Sequence, residues 1–327
     1  QRLPAGVPVR EAVPVANVVF AQFERFIARA QVERFFQRKS AVGRIDQRDA
    51  AVAPQRDITA AAAAANNKGL QAAGTWHYAA AVRLLTAAVE IWARLEHTPG
   101  EINARNARGA VWRKLGGYAS AADDHRAALA LADETGHRSG AIAARAQLGA
   151  AYVGQDRPVE ALAELDRALA ESAASDDNWG LGHAQGFRGL AFEAQKHWQA
   201  ASDAYAAALE QWYSLHAPIR QIEVVAGLAR VTLAQGYTAD AYRLAEQVLE
   251  YLAEHGPARL DEPLRVYLTM VHVLRVVGQR DEARDLLSAA HHLLLQQADE
   301  LAPDQRETFL QAVPVNRAIR EAWAREG

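Results

Sequence analysis

A small residue recurs every forty positions in this chain, at Ala81, Ala121, Ala161, Ala201 and Ala241. The same register carries Ala88, Ala128, Ala168 and Ala208, and a third column reads Gly69, Gly109, Gly149 and Gly189. Three columns in one register point to a string of equal units, each needing its neighbours to bury its apolar face. A fourth column, Ala72, Trp112, Tyr152 and Phe192, stands three residues after each glycine and is usually bulky. The segments between are rich in Ala, Leu, Glu and Arg and show no strand-like alternation, so each unit reads as two helices. Small residues let the two helices approach where they cross, and bulky ones fill the space alongside.

Turns fall where the register demands them, as at Gly116-Gly117, Gly154 to Pro158, Gly236 and Gly278 inside units, and Thr98-Pro-Gly-Glu101 and Ser175 to Asn178 between them. In Thr98 to Glu101 the Thr is read as the N-cap, with Pro99 at the first helical position and Glu101 completing a capping box. The fifth unit has Ala229 in the glycine column, and the sixth, after a two-residue slip, has Val271 there with Gly278, Ala283, Leu287 and Ala290.

Leu148-Gly149-Ala-Ala-Tyr152, followed by Pro158, Ala161, Leu165 and Ala168, resembles the tetratricopeptide repeat (TPR) in its long-helix form. Gly109, Trp112, Tyr118, Ala121 and Ala128 follow the same pattern with His125 in the bulky slot, as do Gly189, Phe192, Trp198, Ala201, Tyr205 and Ala208. The resemblance implies an all-α TPR solenoid, a right-handed superhelix of six helix-turn-helix repeats with helical caps. The expected layout is a lead-in and capping helix over 1–56, six repeats over 57–300 and closing helices over 301–327. Phe20, Phe23, Ile27, Ala30 and Phe35 mark the amphipathic N-terminal helix, and Asp304 to Trp323 reads as a helix pair interrupted at Val313-Pro314.

The tail from Phe309 to Trp323 resembles the closing segment of repeat arrays in bacterial STAND signalling ATPases, relatives of NLR-type immune receptors. That resemblance implies a ligand-sensing domain, and self-association of the parent protein once activated. The alternatives are a free-standing TPR adaptor or peptide-responsive regulator, or a scaffold attached to an upstream enzyme. Opening at Gln1 with Met270 as the single methionine, the sequence reads as a piece of a longer protein.

Chemistry is absent from the motifs. There is no phosphate-binding Gly-x-x-x-x-Gly-Lys-Ser/Thr, no Gly-x-Ser-x-Gly elbow and no His-Glu-x-x-His helix, so this segment is expected not to be an enzyme and to hold no cofactor or metal. His291 and His292 are adjacent on a helix and point about 100° apart, poorly placed to share a metal. Asp123-Asp124 and Asp176-Asp177 read as solvated face and cap, and Trp112 and Trp198 as core. With 36 Lys plus Arg against 39 Asp plus Glu, the chain has no electrostatic footprint for nucleic acid or an anionic membrane. The lack of cysteine fits a cytoplasmic location.

In the TPR family the first helix of each unit lines the concave face. The offsets from the glycine column place Asn66, Asn103, Asn106, Arg113, Lys114, His183, Glu193, Glu223, Arg230, Arg265, His272 and Arg275 there. A protein or peptide partner is expected on this face: Asn66 and Asn106 share one repeat position, and an amide can both donate to and accept from an extended backbone. The excess of cations over Glu193 and Glu223 favours acidic or carbonyl groups on that partner. Ala63 and Ala73 stand where the family's carboxylate-clamping contacts would be.

Overall fold

The computed structural model describes residues 47–326, with side chains from 57 onward. Two compact units are present, Gln1–Ala61 and Ala62–Gly327. The expected lead-in and the amphipathic helix from Phe20 lie outside the described residues; among the described residues every regular element is a helix. Six hairpins follow one another: α1 (Gln47–Gly74) with α2 (Tyr78–Arg94), α3 (Thr98–Lys114) with α4 (Tyr118–Thr135), α5 (Arg138–Gly154) with α6 (Pro158–Ala173), α7 (Asn178–Ala194) with α8 (Trp198–Ser214), α9 (Pro218–Ala234) with α10 (Thr238–His255), and α11 (Pro263–Val276) with α12 (Arg280–Asp299). A last pair, α13 (Pro303–Gln311) and α14 (Pro314–Glu326), breaks at Val313-Pro314. Helix α1 begins ten residues before position 57 and runs through it without interruption.

The columns have a direct steric basis. A Cβ on Gly69 would lie 2.7 Å from Leu85, on Gly109 2.6 Å from His125, on Gly149 2.6 Å from Leu165 and on Gly189 2.5 Å from Tyr205. Each glycine therefore accepts the bulky residue sixteen positions on, across the hairpin. The fifth hairpin solves the same crossing with Ala229 and Ala245, both fully buried, and the sixth with Val271 and Leu287. Ala81, Ala121, Ala161, Ala201 and Ala241 have no exposed surface.

The turns have a shorter period than the repeats. A left-handed residue occurs every twenty positions, at Trp76, Glu96, Gly116, Gly136, Asp156, Asp176, Lys196, His216, Gly236 and Gly256, and then at Gly278 after the slip. At four of the turns inside hairpins the next residue donates its N–H to the aromatic column: His77 to Ala72, Gly117 to Trp112, Arg157 to Tyr152 and His197 to Phe192, at 2.8 to 2.9 Å. These bonds satisfy carbonyls that a helix end otherwise leaves open. Only some of these positions are glycine, which is why the twenty-residue period is not visible in the sequence.

Helix starts correct one expectation. The N-cap of α3 is His97, not Thr98: its Nδ1 accepts from the Gly100 N–H at 3.1 Å. His137 caps α5 through Gly140 in the same way, and Asp177 caps α7 through Gly180 at 2.9 Å. These three caps are again forty apart.

Within Ala62–Gly327 the two ends meet. Trp76 donates its indole N–H to the Leu260 carbonyl at 3.3 Å, Tyr78 packs on Phe309 with centroids 6.3 Å apart, and His77 lies 3.5 Å from Glu300. Val82, Leu85, Val111 and Leu115 share one core with Leu268, Val271, Leu287, Leu294 and Ile319. Repeats one and two thus pack against repeat six and the closing pair, and the helices form a ring around the inner face. Among the described residues no helix is long and apolar enough to cross a membrane.

Candidate functional site

The first helices of the hairpins face inward and surround a cavity of about 610 Å³. Asn66, Asn103, Asn106, Arg113, Lys114, His183, Glu223, Arg230 and Arg265 all line it. Glu193 lines a second cavity of about 550 Å³, toward α13 and α14. Arg113, Lys114, Asp261, Glu262 and Arg265 border both, so an ionic layer separates the two chambers. His272 is exposed and lines neither cavity, and Arg275, also outside both, pairs with Glu326.

The layer corrects the expected surplus of free cations. Arg113 donates to Glu262 at 2.5 Å, Lys114 pairs with Asp261, and Arg265 donates to Glu262 at 2.6 Å. Arg230 forks onto Glu193 at 2.5 and 2.8 Å and reaches Thr269 at 3.0 Å, while the Tyr205 hydroxyl donates to Glu193 at 2.7 Å. Arg220 bonds Glu223 at 3.1 Å, and Glu223 accepts the backbone N–H groups of Asp261 and Glu262 at 2.5 and 2.9 Å. Burial opposes ionisation of Asp261 and Glu262, yet their cationic neighbours hold both well below the usual carboxylate range: Lys114 and Arg220 for the first, Arg265 and Arg113 for the second. Glu223 goes the other way. Its burial, and then the neighbouring Asp261 charge, push it up to about 7.

Amides form another part of the lining. His125 is fully buried, and its Nδ1 lies 3.2 Å from Asn106 Oδ1, which can only accept, so this nitrogen carries the proton. Asn106 in turn donates to the Gly140 carbonyl at 3.3 Å. The oxygens of Asn66 and Gln147 are buried without a hydrogen-bond partner. Asp124, expected on a solvated face, is buried and receives both Nε and Nη2 of Arg108, at 2.8 and 2.6 Å.

Burial, followed by the charge of Arg113, lowers the pKa of His125 to about 3, and burial with Arg220 lowers that of His183 to about 4. Between those values and about 6.5 the unfolded chain binds protons that the folded protein refuses, so stability is lost as pH falls. Each histidine contributes a slope of up to about 1.4 kcal/mol per pH unit. His125→Leu, which restores the residue of the first and third repeats, is expected to lower the net loss of stability on acidification, which the raised pKa of Glu223 partly offsets. Urea midpoints of both proteins at neutral pH and at about pH 5 check it, and equal slopes would contradict the assignment.

No protein-family model matches the sequence, and no curated protein is significantly similar to it. Solved structures do match. A Rap protein complexed with competence and sporulation factor aligns over 80% of this chain and 75% of its own, at 14% identity and a TM-score of 0.56. The Rap conjugation gene regulator of plasmid pLS20, in complex with the Phr* peptide, aligns over 77% and 72% at 14% identity and 0.56, and BtubC from P. vanneervenii over 68% and 92% at 16% and 0.53. The chain has a tetratricopeptide-repeat fold. In this TPR solenoid the paired helices, the glycine columns and the inward first helices are those the sequence motif implied.

Several residues of the TPR interior escaped the offset rule. Asp261 and Glu262 lie in the connection after Gly256, where the two-residue slip takes them out of register. Arg220 occupies the position of Gly100, Gly140 and Gly180 in earlier repeats. Tyr205 and Trp212 reach the cavity from a second helix, α8. Gln147 and Phe187 were legible, being forty apart and one position after the Asn106 column.

Proposed function

We propose that this TPR solenoid is a non-catalytic recognition module that takes an extended peptide or protein segment into its inner cavity. The observation that carries this reading is the helix-lined chamber with amides in its lining: Asn66, Asn103 and Gln147 offer groups suited to a peptide backbone, while the charged groups are satisfied by one another. That a protein of similar fold, the pLS20 Rap regulator, is complexed with a peptide makes a peptide the first ligand class to test. The Phe309 to Trp323 tail supports the finer reading of a cytoplasmic STAND-type sensor, whose parent would lose its response to the trigger, but keep nucleotide binding, on deletion of residues 57–327.

Display selection with random dodecapeptides tests the recognition reading. Wild type is expected to enrich a family of related peptides, and Asn66→Ala with Asn103→Ala to weaken them by about tenfold or more. Enrichment of nothing, or of peptides indifferent to both substitutions, would overturn it.

A further inference from the structure

Helix α7 holds four glycines inside one helix, Gly180, Gly182, Gly186 and Gly189. Three have a packing cause: a Cβ would lie 2.4 Å from Ser172 at Gly180, 2.6 Å from the Trp212 indole at Gly182 and 2.5 Å from Tyr205 at Gly189. Gly186 has none. Nothing stands within 4 Å of its Cβ position, which faces the larger cavity. Glycine is unfavourable in a helix interior relative to alanine, and the other repeats carry Asn66, Asn106, Ala146, Ala226 and, after the slip, Leu268 at this place. The position therefore gives up helix stability and leaves open space.

That space adjoins an aromatic wall. His183 packs on Trp212 at 5.0 Å and on Phe187 at 6.1 Å, and half-exposed Trp179 stands 5.3 Å from Trp212. His183 is neutral at physiological pH, because burial and then Arg220 lower its pKa. Arg113 already lies over the Phe187 ring at 5.5 Å, so with Arg220 nearby a cationic ligand group would meet like charge. The ionised carboxylate of Asp261, and Glu223 in its charged form, weigh against an anion there. An uncharged ring meets neither penalty and gains edge-to-face contact.

We infer that this wall is a receptor for one aromatic side chain of the bound segment, and that the missing side chain at Gly186 sets the room for it. The inference rests on the recognition reading above for the rest of the ligand, whose backbone would run along the amides of the same cavity.

Saturation-transfer NMR with N-acetyl-phenylalanine amide as the probe tests it, with the leucine and lysine amides beside it. The phenylalanine probe is expected to bind wild type in preference to the lysine one, and to lose about tenfold in Gly186→Trp, which fills the space, and in Phe187→Ala, which removes a ring. Gly186→Ala should raise the melting temperature and keep binding. Equal binding of the phenylalanine and lysine probes, or binding unchanged in both folded variants, would overturn the inference. The two readings fail separately: displayed peptides that lack an aromatic residue and still bind Gly186→Trp would remove the ring receptor and leave peptide recognition. A bound phenylalanine probe with no selected peptide would do the reverse.

Discussion

Arg113→Met lowers the stability of the protein by about 2 kcal/mol, because it removes one of the two cations on the partly buried Glu262 carboxylate, in the layer that joins the third helix to the eleventh. The pair itself is a weak source of net stability, since burial works against the Arg113 charge even as Glu262 and Asp261 raise its pKa. The cost comes from breaking it one-sidedly. The double variant Arg113→Met, Glu262→Met is expected to be more stable than Arg113→Met alone, because Arg265 is a third exposed and can turn to water. Chemical denaturation of wild type, Arg113→Met, Glu262→Met and the double variant decides the point. A double variant that loses the sum of the single effects would mean the two residues do not act as a pair.

Gly149→Leu is expected to cost at least about 3 kcal/mol, at the upper end of overpacking effects. Even a Cβ at this site would stand 2.6 Å from Leu165 Cγ, with Leu165 fully buried and unable to swing away. The fifth repeat shows how the crossing can be refilled, with Ala229 and Ala245 in place of glycine and a bulky residue. Gly149→Ala combined with Leu165→Ala should therefore lose less than the two changes separately, by about 1 kcal/mol or more. Additive losses, again read from denaturation midpoints, would show that the columns do not face one another. Asp176 is unsuitable as an exposed control here, since its backbone is left-handed at φ 53° and any β-branched or bulky replacement is strained. Asp123, whose side chain is 71% exposed, serves instead.

The glycine and bulky columns were legible because the same crossing recurs in each hairpin and its geometry tolerates few residue types. The inward position of the first helices followed from the same register. What the sequence could not show is closure. It depends on small rotations accumulating over six hairpins until Trp76 reaches Leu260 and Tyr78 reaches Phe309, residues with no shared register. The ion-pair layer depends on closure in turn, so Arg113 and Lys114 read as free cations until Asp261 and Glu262 are brought to them across 147 to 149 positions of chain. The histidine caps at His97 and His137 were missed for another reason: an imidazole acceptor is an uncommon N-cap, and Thr98 offered the commoner one.

Everything assigned to the interior requires the ring of Ala62–Gly327 to be shut in solution. The chain has no cysteine, so His77→Cys with Glu300→Cys gives two spin-label sites without background, at half-exposed positions that face one another across the closure. Loss of that exposed pair costs little. Pulsed electron–electron distance measurement should give a single short, narrow distribution between the labels. A broad distribution at long distances would mean an open solenoid, with no ring around the inner cavity and no ionic layer to divide it.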